Sequence, residues 1–140
     1  MNPTVKNILA VVAGCAVAMV VNGSLISLGY VLNPLPEGVD PNDMDSLGAA
    51  MKNFGIKEFI MPFLAHALGS LAGAFVATKI GVSNHLKLAL IVGAFHLLGG
   101  ITAAYMLPAP ITFEAFDLLV SYIPMAVSYT HLTLPTNREV

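Results

Sequence analysis

Two histidines, His66 and His96, lie inside stretches that are otherwise apolar. An ionisable side chain at membrane depth is costly and faces a bundle interior or a cavity. Counting a helical rise of ~1.5 Å per residue places His66 roughly 10 Å and His96 roughly 16 Å below the outer boundary of the apolar layer. Asn22, in the first apolar stretch, falls at about the depth of His96, and Ser70 lies one helical turn from His66. Asn22, His66, Ser70 and His96 are therefore candidates for one polar pocket. Three chemistries are open to it. Neutral histidines can hydrogen-bond to Asn22, Ser70 or a carbonyl and hold helices together. A histidine can instead relay or sense a proton, because it titrates near physiological pH. Or His66 and His96 can ligate a metal, with Met19, Met61 or Met106 as soft supplements for copper. The two histidines lack a recognised ligand spacing and fall short of a coordination set, so neither a metal nor a cofactor is expected.

Enzymatic motifs do not appear. There is no phosphate-binding glycine loop, no His-Glu zincin motif and no Gly-x-Ser-x-Gly elbow. His66 and Ser70 have neither an orienting acid nor an oxyanion hole, so the expectation is a non-enzymatic protein. Glu114 and Asp117 read as solvated loop charges; the rival reading joins them with Glu58 in an acidic vestibule that attracts cations. The single cysteine, Cys15, excludes an internal disulfide and a multi-thiolate zinc site, and reads as a small inert core residue.

The elements that must position these groups follow from composition. Of 140 residues, 56% are hydrophobic and only 10% charged, against about a quarter charged in a soluble domain. The mean hydropathy of +0.80 points to an integral membrane protein. A net charge of −2 argues against a nucleic-acid partner. Apolar runs predict membrane helices over about 8–32, 59–80 and 86–107, and a fourth segment over 116–126 and onward. Pro62 falls in the first turn of the second span, where proline is tolerated. An outer loop, 33–58, carries a short amphipathic surface helix: Asp43 caps it, and Met44, Leu47, Met51 and Phe54 share a face. The fold expected is all-α, an up-down four-helix membrane bundle.

Ala65, Gly69, Gly73 and Ala77 recur every fourth residue in the second span, and Ala10, Gly14 and Ala18 do so in the first. Such stripes let helix backbones approach closely, within a chain or between copies. His66 to Phe75 echoes His96 to Tyr105, which suggests a weak inverted repeat. Lys6, Lys79 and Lys87 flank one side, whereas acidic residues dominate the other. The positive-inside rule then puts the N-terminus in the cytoplasm and loop 33–58 outside.

Three resemblances bear on the chain. Val12-Ala13-Gly14-Cys15 resembles a lipobox, but apolar sequence continues through Val21, so the first span is expected to be retained. Val127 to Thr136 matches, without a gap, the translation of a transposase-type sequencing adapter. Asn137 to Glu139 fall on that adapter's variable index, and Val140 where it resumes before a stop. Residues 127–140 are thus expected to be an artefactual tail on a single transmembrane domain, 1–126, whose fourth span is cut short. That domain, with Phe63-Leu64-Ala65-His66-Ala67-Leu68-Gly69 and Tyr122-Ile123-Pro124-Met125, resembles the small four-span bacterial inner-membrane proteins without assigned function. The resemblance implies a multi-pass protein of the plasma membrane and no particular activity. The leading expectation is a helix-packing scaffold or subunit, with the lipid bilayer and a second copy or another membrane protein as partners. The alternative is a small-solute, proton or metal-ion transporter using the Asn/His pocket.

Overall fold

The computed structural model describes residues 2–133. Helices α1 (Pro3–Leu32), α2 (Met44–Met51), α3 (Ile56–Ile80), α4 (His85–Met106), α5 (Ile111–Val120) and α6 (Ile123–Thr133) follow in order, with no strand among the described residues. Four stretches are long and apolar enough to cross a membrane: α1, α3, α4, and Ile111–Tyr129, which joins α5 to α6. The chain is a multi-pass membrane protein with an all-α bundle, as composition and periodicity indicate. Helix α3 is its centre, packed on α1, α4 and α6.

The interior is made of small and polar side chains. Tyr122, Val92, Ser70 and Ser121 are the largest that are fully buried, while Val12, Val20, Leu98 and Leu119 are exposed. A soluble protein sorts residues the other way. In lipid, bulky apolar groups gain nothing by turning inward, and close backbone packing supplies the attraction. Helices α1 and α3 show this most clearly, because both stripes are buried: Ala10, Gly14 and Ala18 on one, Ala65, Gly69, Gly73 and Ala77 on the other. A Cβ added to Gly14 would stand 2.6 Å from the Gly73 carbonyl oxygen, and one on Gly73 would stand 2.6 Å from that of Gly14. The stripes therefore act within one chain. Cys15 is half-buried beside Ala18, Ala77, Leu88 and Val92, as a small core residue would be.

At one end, the Asn7 side chain accepts from the Val82 N–H (2.9 Å) and donates to the Ser83 hydroxyl (3.0 Å), tying the start of α1 to the α3–α4 turn. That turn closes through Asn84 at φ 54°, a left-handed conformation that asparagine tolerates. Lys6, Lys79 and Lys87 consequently share one end of the bundle. Helix α2 crosses the other end as expected, with Asp43 accepting from the Asp45 and Ser46 N–H groups.

Several boundaries differ from those read in the sequence. Helix α1 starts at Pro3, because Asn2 accepts from the Thr4 N–H at 2.8 Å and caps it. Helix α3 takes 56–58 from the expected loop: Glu58 reaches back to the Gly55 N–H (2.8 Å), the reciprocal half of a capping box. Pro62 therefore lies inside α3 and not in its first turn. The fourth span begins at Ile111, ahead of Phe116, because Pro110 serves as its N-cap. It then breaks at Ser121–Tyr122, since Pro124 has no N–H for the Val120 carbonyl and its ring crowds that oxygen. Residues 127–133 of the adapter-like segment continue α6, with Tyr129 buried beside Ala74, Ala89 and Ala126. The rest of that segment, 134–140, lies outside the described residues.

Candidate functional site

The small-residue contact sets the position of the site. Gly69 of α3 has so little room that a Cβ would come within 2.8 Å of the His96 ring and 2.9 Å of the Ala18 carbonyl oxygen. Glycine at this point lets α1, α3 and α4 converge, so that Asn22, Ser70 and His96 meet. Asn22 Nδ2 lies 2.9 Å from His96 Nε2, and His96 Nδ1 lies 2.9 Å from Ser70 Oγ. The Ser70 hydroxyl in turn donates to the His66 carbonyl oxygen at 2.8 Å.

These contacts fix the direction of the chain of bonds. Ser70 has a single hydroxyl proton, and a carbonyl can only accept it. His96 Nδ1 must then donate to Ser70, which leaves Nε2 of a neutral ring to accept from the Asn22 amide. The four candidate residues are gathered as the depth count implies. His66 and His96 nevertheless do not bond to each other; their rings stand edge to face with centroids 6.3 Å apart.

The partner of His66 is a residue that the sequence reading placed in solvent. Asp117 is only 4% exposed, and its Oδ2 lies 2.7 Å from His66 Nδ1. Its other contacts are with Ser121, whose hydroxyl donates to Oδ1 (2.7 Å), and Tyr122, whose hydroxyl donates to Oδ2 (3.2 Å). Asp117 is thus no solvated loop charge. The early start of α5 carries it into the bundle, and its spacing to Ser121 puts two side chains of one helical face together. The break before Pro124 is where Tyr122 packs against both histidines, with centroids 5.3 Å from His66 and 5.4 Å from His96. Ser121 and Tyr122 are the site residues that sequence reasoning missed, and Asp117 entered it only through the vestibule alternative, not as the partner of His66. An acid followed by a hydroxyl four residues later, inside an apolar run, was the available signal.

Tyr122 fits only because residue 100 is glycine; a Cβ there would run into its ring and hydroxyl. Gly100→Ala is expected to displace Tyr122 from Asp117 and to destabilise the bundle by about 1–3 kcal/mol, the usual range for overpacking. Thermal unfolding in detergent, against Gly99→Ala where nothing stands within 4 Å, checks this.

A cavity of about 540 Å³ leads to this cluster, lined by Asn22, His66, Gly100 and Asp117 at membrane depth and by Glu58 and Glu114 towards the end covered by α2. The acidic vestibule therefore exists in outline. With Nδ1 engaged by Asp117, Nε2 of His66 is the ring nitrogen left for whatever enters, and no described residue bonds to it. Below the cluster the bundle is shut by the buried contacts among Ala18, Ala77, Leu88 and Val92 and among Ala74, Ala89, Ala126 and Tyr129. Among the described residues no cluster of three His, Cys, Asp or Glu side chains could hold a metal ion. Met19 and Met106 are exposed on the outer surface, and Met61 packs on Gly29.

No family model, curated protein or solved structure matches the chain.

Proposed function

We propose that the protein is a membrane carrier that binds a small solute in the cavity above His66 and exchanges a proton there. One observation carries this reading: a buried carboxylate, Asp117, paired with His66 on the floor of a cavity that ends against a sealed half-bundle. Ionisable pairs are kept at membrane depth, despite their cost, where an ion or proton must pass. A carboxylate that orients one imidazole nitrogen leaves the other free as proton acceptor and donor. The shared end of Lys6, Lys79 and Lys87 supports a cytoplasmic N-terminus and an outward-facing cavity. The reaction is transport, so no catalytic residue is assigned.

The test is solute-driven proton movement by the full chain in liposomes that hold a pH-sensitive dye in the lumen. Rapid solution exchange would deliver tetraethylammonium, acetate or glycine, with and without a pH step. The reading expects a change of lumenal pH with at least one probe, beyond that in protein-free liposomes, lost in Asp117→Asn. In intact cells lacking Cys15 (Cys15→Ala), an impermeant maleimide should label Ala104→Cys from outside and leave Ala89→Cys unlabelled. Silence with all probes, together with no labelling of Ala104→Cys, overturns it.

A second reading, a packing subunit, is favoured by a different observation. Among the described residues, every buried side-chain nitrogen and oxygen has a partner, as a purely structural network requires. It expects no solute-driven change of lumenal pH and an unchanged size of assembly in Asp117→Asn. The adapter origin of residues 127–140 is a separate question, decided by resequencing the source DNA across the Met125 codon without that adapter.

A further inference from the structure

The walls of the cavity specify what it would take. Besides Glu58, Glu114 and Asp117, they include Tyr30, Phe59 and Phe113, and among the described residues no lysine or arginine contributes. Phe59 and Phe113 pack on one another at the cavity wall, with centroids 4.6 Å apart and planes tilted by 36°. Carboxylates repel anions. Most of the lining is aromatic and aliphatic, and such walls suit a cation whose charge is spread over carbon. A volume of about 540 Å³ is within the range for molecules of drug size.

Resting on the carrier reading, we propose that the solute is a small organic cation, an amine or quaternary ammonium, exchanged for the proton on His66. The site holds one negative charge, Asp117, that needs a cationic partner at short range. Imidazolium at His66 supplies that partner when the cavity is empty. An organic cation arriving beside the carboxylate puts a second positive charge a few ångströms from the first, and like charges at this range expel the removable one. The proton leaves Nε2 of His66 to water at the cavity mouth, the cation stays against Asp117, and the net charge of the site is unchanged. No covalent bond forms or breaks. The titratable groups around His66 are Asp117 and Glu114 of α5, Tyr122 at the α5–α6 junction, His96 of α4, Tyr30 of α1 and Glu58 of its own helix. Tyr129 is the tyrosine of α6, in the sealed half. His96 has both ring nitrogens bonded, so His66 is the histidine able to give up a proton to the cavity.

Tetraphenylphosphonium and tetraphenylborate have the same shape and opposite charge, and they decide the matter. Calorimetric titration of the full chain in detergent, in buffers of different ionisation heat, counts protons released per ion bound. The expected result is binding of the phosphonium with release of a proton and an affinity that rises about tenfold per pH unit while His66 is protonated. Tetraphenylborate should not bind above the level of Asp117→Asn. His66→Gln should bind the phosphonium with no proton release and no pH slope. Phe113→Leu, which keeps the charges, should weaken binding about fivefold through loss of a ring face; it serves if Asp117→Asn does not fold. Equal binding of tetraphenylborate, or phosphonium binding without proton release in the unmodified protein, overturns the inference. Lumenal pH changes evoked by acetate or glycine, beyond those in protein-free liposomes, but not by tetraethylammonium would leave the carrier reading standing and remove only the cation.

Discussion

Gly73→Leu is expected to prevent the bundle from assembling, at a cost of about 4 kcal/mol or more, beyond the range of ordinary substitutions. The reason is geometric. Even the first carbon of a side chain at Gly73 would stand 2.6 Å from a backbone oxygen of α1 and 2.8 Å from the Ala18 Cβ. A side-chain neighbour could rotate aside; the Gly14 carbonyl cannot without moving the whole helix. Gly73→Ala should therefore cost about 1–3 kcal/mol by prising the helices slightly apart, and leucine, with three further carbons, should separate them. Separation removes the dispersion contact that holds α1 in lipid, and it also undoes the approach at Gly69 that brings Asn22 to His96. Chemical unfolding in detergent, followed by helicity and by elution volume, measures the loss. Gly99→Leu is the control: nothing stands within 4 Å of its Cβ, and its effect should stay within about 0.5 kcal/mol. If the two leucine variants unfold alike, the α1–α3 contact is not what holds the bundle.

That α1 and α3 each carry a close-packing face was legible before any coordinates, because a four-residue period of small side chains lets backbones approach in lipid; that the two faces meet each other within one chain was not. The meeting of Asn22 with His96 was legible for a similar reason, since depth in a straight helix is simple arithmetic. What the sequence concealed lies wherever the backbone departs from that arithmetic. Glu58 restarts α3 early by bonding to Gly55, which moves Pro62 inside the helix. Pro110 and Pro124 do the same for the fourth span, starting it at Ile111 and breaking it at Ser121–Tyr122. Local apolarity begins near Phe116, so Glu114 and Asp117 looked like charges waiting outside the membrane. Only the position of α5 against α3 shows that Asp117 answers His66, a pairing separated by 51 residues that no periodicity encodes.

Asp117→Leu separates stability from function at this pair. Leucine fills a similar volume but leaves three donors without their acceptor: His66 Nδ1–H and the Ser121 and Tyr122 hydroxyls. Ser121 can turn to the carbonyl of residue 117, as Ser70 already does to His66. His66 and Tyr122 have no such recourse, and each unpaired buried donor costs about 1–3 kcal/mol. Hydrogen bonds within membranes return less than this on average, because the separated helices also find partners. The balance is a destabilisation of about 2–4 kcal/mol, measured by chemical unfolding in detergent. Adding His66→Leu removes one of the orphaned donors, so the double variant should be more stable than the sum of the single effects by about 1 kcal/mol or more. Asp117→Asn keeps one oxygen acceptor and should unfold within about 1 kcal/mol of the unmodified protein. It nevertheless loses the charge that either imidazolium or a solute must balance. A variant that folds normally and moves no protons in response to solute is therefore the signature of a working ion pair. If Asp117→Asn instead costs as much as Asp117→Leu and solute response is absent in both proteins, Asp117 holds the helices and does nothing more.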